Sequence, residues 1–191
     1  MYPLPELRTE HTCIRLPKVS DAPLLLRYRI DNREHFAPWE PRRDEAYFTG
    51  SACRRAIADG LDAARADRAY PFLVLNVDQR EVLASITLTN VARGIFQACH
   101  VGYGVAAAWQ GKGLMHEALC AVLDLAFGTL ELHRVMANHL PDNERSARLL
   151  ERLGFEREGY ARSYLCIDGR WQDHVLTAKI SPQSRESSPA A

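Results

Sequence analysis

Gln110-Gly111-Lys112-Gly113-Leu114-Met115 lies between a strand-like run that ends at Val105 and a helix-like run that begins near Leu114. The two glycines let the backbone turn tightly. Consecutive N–H groups leading into a helix start converge on one point, and because the first donors of a helix lack intrahelical partners they attract a phosphate or similar anion. The stretch therefore reads as an anion cradle. An ordinary strand-to-helix loop with a solvated lysine has the same local sequence, and six residues do not separate the two readings.

Two nucleotide-binding patterns fail on spacing. A P-loop needs four residues between its first glycine and a Gly-Lys-Ser/Thr, whereas Lys112 is followed by Gly113. Gly102 and Gly104 begin a Gly-x-Gly, but position 107 is Ala and the run lies inside a strand, which argues against a dinucleotide site.

Composition bounds the rest. The chain has 191 residues, 47% of them apolar, which suits one compact domain, expected over 1–180 with 181–191 as a disordered tail. Basic and acidic residues balance at 24 each, so no net field would hold the protein on nucleic acid or on an anionic membrane. Five scattered cysteines without a Cys-x-x-Cys pair predict reduced cytoplasmic thiols and no metal site. The first residues lack a signal-peptide pattern and no apolar run reaches membrane-spanning length, so a soluble, unexported protein is expected.

Taken in order, Thr12 to Leu16 alternates as a strand, and Ser20-Asp21 can cap a helix carrying Leu24 to Ile30. Two prolines bracket Trp39-Glu40 and predict an irregular, stiff aromatic loop from Asn32 to Arg43. Trp39 there is either a lid over the core or, with Glu40, a reader of a peptide amine. Asp44 to Arg68 has helix formers, with Gly60 as a point of division or bending. Phe72 to Val77 and Val82 to Asn90 read as a hairpin, Cys99 to Val105 as a further strand with a glycine face, and Leu119 to Phe127 as a helix stopped by Gly128. His133 to His139 is strand-like, Asp142-Asn143 opens a helix that Gly154 ends, and Asp168-Gly169 suits a type I′ turn between Tyr160 to Ile167 and Trp171 to Ile180. An α/β (α+β) fold follows, with a central twisted mixed sheet of about seven strands flanked by about four helices.

The pattern Gln/Arg-x-x-Gly-x-Gly/Ala after a strand, matched by Gln110 and Gly113 with Met115 at the last small position, resembles the pyrophosphate loop of the GCN5-related N-acetyltransferases, the GNAT family. The order of elements, Asn143 and Gly154-Phe155 extend the resemblance over almost the whole chain. Outside the cofactor motif, Pro38-Trp39-Glu40-Pro41, Arg145-Ser146 and the run from Tyr164 to Ala178 resemble the RimJ-type alanine N-acetyltransferases of ribosomal proteins. The resemblance implies acetyl-CoA as co-substrate, held by Gln110, Gly111, Lys112, Gly113, Leu114, Met115 and Asn143. It also implies transfer to the N-terminal alanine of a small-subunit ribosomal protein, free or in a ribosome-assembly intermediate. A relaxed acetyltransferase of peptide or small-molecule amines, and a non-catalytic acyl-CoA-binding or ribosome-assembly protein, remain the alternatives.

The chemistry is consistent with an N-terminal substrate. An α-amine, with a pKa of about 7.7–8.0, is partly neutral at cellular pH, whereas a lysine near 10.4 needs far more help. Direct attack on a thioester makes an oxyanion, for which the N–H groups near Val105 and Ala106, where the strand leaves its neighbour, are candidates. In the resembled family's geometry Ser146 is close enough to protonate the leaving thiolate, or it is simply an exposed helix residue. The tyrosine and glutamate that serve the related RimI type are replaced here by Leu150 and Asn138. Base candidates are Glu40, His100, His139 and Asp173. Trp39, Glu40 and Tyr164 are the candidate peptide contacts.

Overall fold

The computed structural model describes residues 4–182, so all but the first two residues of the expected tail lie outside the described residues. The strands form one sheet: β1 (Leu7–Arg8), β2 (Thr12–Arg15), β3 (Tyr70–Asn76), β4 (Val82–Ala92), β5 (Ala98–Val105), β6 (Arg134–His139), β7 (Glu156–Ile167) and β8 (Arg170–Ile180). Their spatial order is β1-β2-β3-β4-β5-β6-β8-β7. Every neighbouring pair is antiparallel except β5 and β6. The helices are α1 (Ala22–Asp31), α2 (Arg33–Phe36), α3 (Gly50–Arg65), α4 (Leu114–Asp124) and α5 (Glu144–Arg152). The mixed α/β sheet architecture expected from the sequence is therefore present, with eight strands and five helices among the described residues.

The parallel pair is short, and that shortness creates the site. β5 and β6 are in register only at Ala98 with Arg134, Cys99 with Val135 and His100 with Met136. β5 continues to Val105 against β4 alone, so the two strands splay apart after His100. α4 is the crossover that a parallel pair requires. Its Leu119, Val122 and Leu123 pack with Cys99 and Val101 of β5 in the main core. The opposite face of β5 carries Gly102 and Gly104 and looks toward α1 and α2, where a Cβ on Gly104 would lie 3.4 Å from Phe36 Cε1.

Local chemistry fixes the ends of these elements. Thr49 accepts a hydrogen bond from the N–H of Ala52 and starts α3, preceded by a 3₁₀ turn at Glu45–Phe48. Gly60 does not divide α3, which is continuous; a Cβ there would sit 2.8 Å from Pro71 Cγ, so it lets helix and strand approach. α5 ends with Gly154 at φ +79, where Gly154 N–H donates to Glu151 O and Phe155 N–H to Leu150 O (both 2.9 Å), satisfying orphan carbonyls.

Other expectations change. The loop from Asn32 is irregular only after α2: Ala37, although it precedes Pro38, keeps helical backbone (φ −49, ψ −41) and caps the helix, its N–H donating to Arg33 O. Gly128 lies inside a π turn, Leu125–Thr129, rather than stopping the helix. Asp168 (φ 45) and Gly169 (φ 75) adopt the two left-handed conformations of a type I′ turn, as the dipeptide predicts.

Candidate active site

A cleft of about 910 Å³ runs through the splay, lined by the cradle, one face of α5 from Arg145 to Arg152, the Trp39-Glu40 loop and the terminal hairpin. Gly111 (φ +72) and Gly113 (φ +77) both take the left-handed backbone for which glycine is suited. The N–H groups of Leu114, Met115 and His116 precede the first bond of the α4 ladder, from Glu117 N–H to Gly113 O (3.1 Å). Leu114 and Met115 offer mainly backbone, since the residues are only 4% and 7% exposed and their side chains belong to the core. The Lys112 ammonium lies over the Trp109 ring, 4.6 Å from its centroid, and its side chain does not line the cleft.

Gln110 has a defined orientation. Arg145 can only donate, and it donates to Gln110 Oε1. That turns Gln110 Nε2 toward His35 Nε2, 3.0 Å away, where an unprotonated ring nitrogen accepts. The same nitrogen lies 3.2 Å from Val105 O, to which it donates only when protonated, so the ring makes one of the two bonds at a time. Arg145, Gln110 and His35 thus join α5, the cradle and α2. The sequence reading assigned no role to His35 or Arg145; the signal for His35 was its place in the already distinctive loop.

At the end of β5 the backbone separates two candidates. Ala106 N–H donates to Leu83 O (2.9 Å), and Ala107 N–H donates to Asn32 Oδ1 (2.8 Å). Ala106 is therefore corrected as an oxyanion donor, because its hydrogen is already used. By the alternation of the antiparallel ladder, Val105 N–H points away from β4 and into the gap left by β6.

On the α5 side of the gap, Asn143 caps the helix by accepting from Ser146 N–H (3.0 Å), and Ser146 Oγ lies 2.6 Å from Tyr103 Oη. Burial pushes the Tyr103 phenol up to about 12, against a smaller lowering by the bond to Ser146. The sequence places Tyr103 in the strand from Cys99 to Val105 and gives it no role of its own. Its distance from Ser146 in sequence hid the contact.

Trp39 and Glu40 line the opposite side, with Trp39 41% exposed. Burial raises the Glu40 carboxyl above the usual carboxylate range, opposed by Arg43 and Arg29. Asp168 N–H donates to Glu40 O (3.0 Å), so the hairpin turn is tied to this loop. Of the other base candidates, His139 lines the cleft, with Nδ1 2.9 Å from Leu140 O. His100 does not line it, and burial lowers its pKa. Asp173 is occupied elsewhere: it accepts from Ser163 N–H and Tyr160 Oη, both at 2.8 Å, and so organises a bulge in β7. Those bonds hold its carboxyl below the usual range. Tyr164 also stands back from the cleft, accepting from Asn138 Nδ2 (3.3 Å), while Leu165, Ile167 and His174 supply the hairpin's lining. No cluster of metal-ligating side chains occurs among the described residues.

This arrangement, with an anion cradle on one face of a splayed parallel pair and a polar loop on the other, is that of an acyl-transfer site. Residues 11–156 match the Acetyltransferase (GNAT) domain family, and the chain belongs to that family of enzymes. It is 43% identical over 180 residues, 94% of this chain and 93% of the relative, to the [Ribosomal protein uS5]-alanine N-acetyltransferase of Escherichia coli. Among solved structures, the ribosomal-protein-S5-alanine acetyltransferase of Vibrio fischeri superposes with a TM-score of 0.88 at 38% identity, covering 93% of this chain and 97% of that one. Mycobacterium smegmatis RimJ in complex with CoA-disulfide superposes at 0.85 with 31% identity, covering 94% and 85%.

Proposed function

We propose that this protein transfers acetyl from acetyl-CoA to the N-terminal alanine α-amine of a small-subunit ribosomal protein in the cytoplasm. The observation that carries the substrate class is the 43% identity to the uS5-alanine enzyme across 94% of the chain, which takes in the walls on the peptide side as well as the cofactor loop. A similarity confined to acetyl-CoA binding would leave the acceptor open.

The residues have the chemistry for direct attack. The N–H groups of the 111–116 turn, unused by the helix ladder, suit the pyrophosphate of acetyl-CoA, and Asn143 keeps α5 beside it. Val105 N–H meets the developing oxyanion. Ser146, bonded to Tyr103, protonates the departing thiolate. Glu40 draws the amine and takes its proton, its raised pKa bringing it nearer to working pH than an ordinary carboxylate. Trp39 borders the first side chain, so a small residue fits where a bulky one clashes.

The test compares kcat/KM for peptides beginning with Ala, Ser and Leu, and for an N-terminally blocked Ala peptide with an internal Lys. Ala and Ser should exceed Leu by about tenfold or more. Preference for the blocked lysine peptide, or equal use of Ala and Leu, would favour the relaxed acetyltransferase. Absence of turnover with all four, with acetyl-CoA still bound, would favour a non-catalytic binding protein.

A further inference from the structure

A second cavity, about 480 Å³, opens behind Glu40 and shares Phe36, Glu40, Arg43, Ser85 and Thr87 with the cleft. Four guanidinium groups line it, those of Arg29, Arg33, Arg42 and Arg43, against the two carboxylates of Glu40 and Asp168. Aromatic rings hold three of them in place. Arg29 lies 3.9 Å and Arg43 4.5 Å from the centroid of Tyr47, and Arg33 lies 4.4 Å from that of Phe48. Arg33 is answered by Glu45, which accepts from both of its terminal nitrogens. Arg29 has no carboxylate partner among the described residues: its NH1 donates to Tyr47 O (3.2 Å) and lies 3.5 Å from Cys53 Sγ, and its Nε is buried without an acceptor among them.

Two guanidinium groups stacked near one ring repel each other. An incoming carboxylate would relieve that repulsion, and a guanidinium presents it with paired donors at its terminal nitrogens. The rest of the wall, with Leu25, Tyr28, Ile57 and Phe72, suits the methylene stem of such a side chain. Because the cavity shares Phe36, Glu40 and Arg43 with the cleft, one extended molecule with its amine in the cleft can reach the cavity with a side chain.

We propose that the cavity behind Glu40 is a specificity subsite that takes an acidic side chain of the substrate peptide, one to three residues beyond the one that is acetylated. This rests on the peptide N-terminus reading above, and the experiment separates the two. Initial rates are measured with Ala peptides carrying Glu, Gln or Lys at the second, third or fourth position. The enzymes are the wild type, Arg29→Gln and Arg42→Glu.

At one of these positions Glu should exceed Gln in kcat/KM by about tenfold, the scale of one charge-assisted contact. The Glu-to-Gln ratio should collapse toward one in Arg29→Gln. In Arg42→Glu the Lys peptide should gain on the Glu peptide, which a merely destabilised protein would not produce. A wild-type ratio near one at all three positions, or a ratio that survives both substitutions, overturns the subsite. Acetylation of Ala peptides without acidic preference would leave the peptide reading standing, whereas failure to use any Ala peptide would remove both.

Discussion

Tyr103 Oη lies 2.6 Å from Ser146 Oγ, a hydrogen bond that joins the part of β5 beyond its pairing with β6 to the first turn of α5. Because the Asn143 cap fixes the backbone of Ser146 and Tyr103 fixes its hydroxyl, this serine is oriented rather than a free surface group. The Tyr103 phenol, pushed up to about 12 by burial, keeps its proton across the working range and can re-supply the serine. Ser146→Ala is expected to lower kcat by about 100-fold, the lower end of general-acid effects, with the Kd for acetyl-CoA unchanged. Tyr103→Phe should show a smaller loss of the same kind. Single-turnover rates with calorimetric Kd values check this, and wild-type chemistry in Ser146→Ala would return the pair to a structural role.

The cradle prediction has to account for backbone strain. Gly113 has φ +77, so any side chain there costs about 1–2 kcal/mol, and Asn is among the residues that bear it best. Gly113→Asp adds a negative charge beside the pyrophosphate, where Gly113→Asn adds nearly the same bulk and strain without it. The Asp variant should bind acetyl-CoA at least about tenfold more weakly than the Asn variant. Equal affinities by calorimetry would mean that the turn does not hold an anion.

If Glu40 takes the amine proton, kcat/KM rises with pH as its carboxyl ionises. Burial raises that carboxyl above the ordinary range, so the acidic limb should lie higher than for an exposed glutamate. The substrate amine adds its own limb near its pKa of about 7.7–8.0. Glu40→Gln should cut the plateau by about 100-fold and leave only the amine's limb. A profile over pH 5 to 9 that keeps both limbs in the variant would pass the role to His139, which also lines the cleft.

The stability of the amino-terminal part depends on one buried pair. Arg15 donates to Asp21 through two bonds of 2.7 and 3.0 Å, with the side chains only 9% and 7% exposed. Burial alone would raise the Asp21 carboxyl, but Arg15 and the N–H of Lys18 together hold it below its ordinary value. The folded pKa being the lower, this stabilisation is complete above the unfolded value of about 3.9 and is lost as pH falls through the folded one. Asp21→Ala strands the Arg15 charge and should cost about 3–5 kcal/mol in urea unfolding at pH 7. A cost below about 1 kcal/mol would place the pair among weak surface interactions.

The order of strands and helices could be read because each is marked by its own local chemistry: Asn143 caps, Gly154 and Asp168-Gly169 take left-handed backbone, and the strands alternate. The tight turn at Gly111 and Gly113 could be read for the same reason. What could not be read were contacts between residues far apart in sequence. Tyr103 with Ser146, Gln110 with His35, and the use of Ala106 N–H by Leu83 all depend on how the sheet brings separate segments together. Asp173 and Tyr164 looked like site residues because they stand in a family-like run, but a bulge in β7 gives Asp173 other partners and sets Tyr164 against Asn138.

The two glycines of β5 predict where the peptide lies. Neither has positive φ, so neither is kept for backbone freedom. A Cβ on Gly104 would sit 3.4 Å from Phe36 Cε1 and 3.5 Å from Tyr28 Oη, so this glycine lets α1 and α2 close onto the sheet. A Cβ on Gly102 would meet nothing within 4 Å, yet Gly102 lines the cleft on the side away from α4 and α5. Its missing side chain therefore leaves room for something other than the protein. Gly104→Ala should lower stability by about 1 kcal/mol, through crowding. Gly102→Val should fold normally, strand propensity being in its favour, and bind acetyl-CoA with unchanged affinity. It should raise KM for an Ala peptide and cut kcat/KM by about tenfold or more, since the valine occupies the path of the extended substrate. Thermal unfolding, calorimetry with acetyl-CoA and peptide kinetics on the two variants make the comparison. Unimpaired peptide kinetics in Gly102→Val would show that the acceptor does not cross this face of β5.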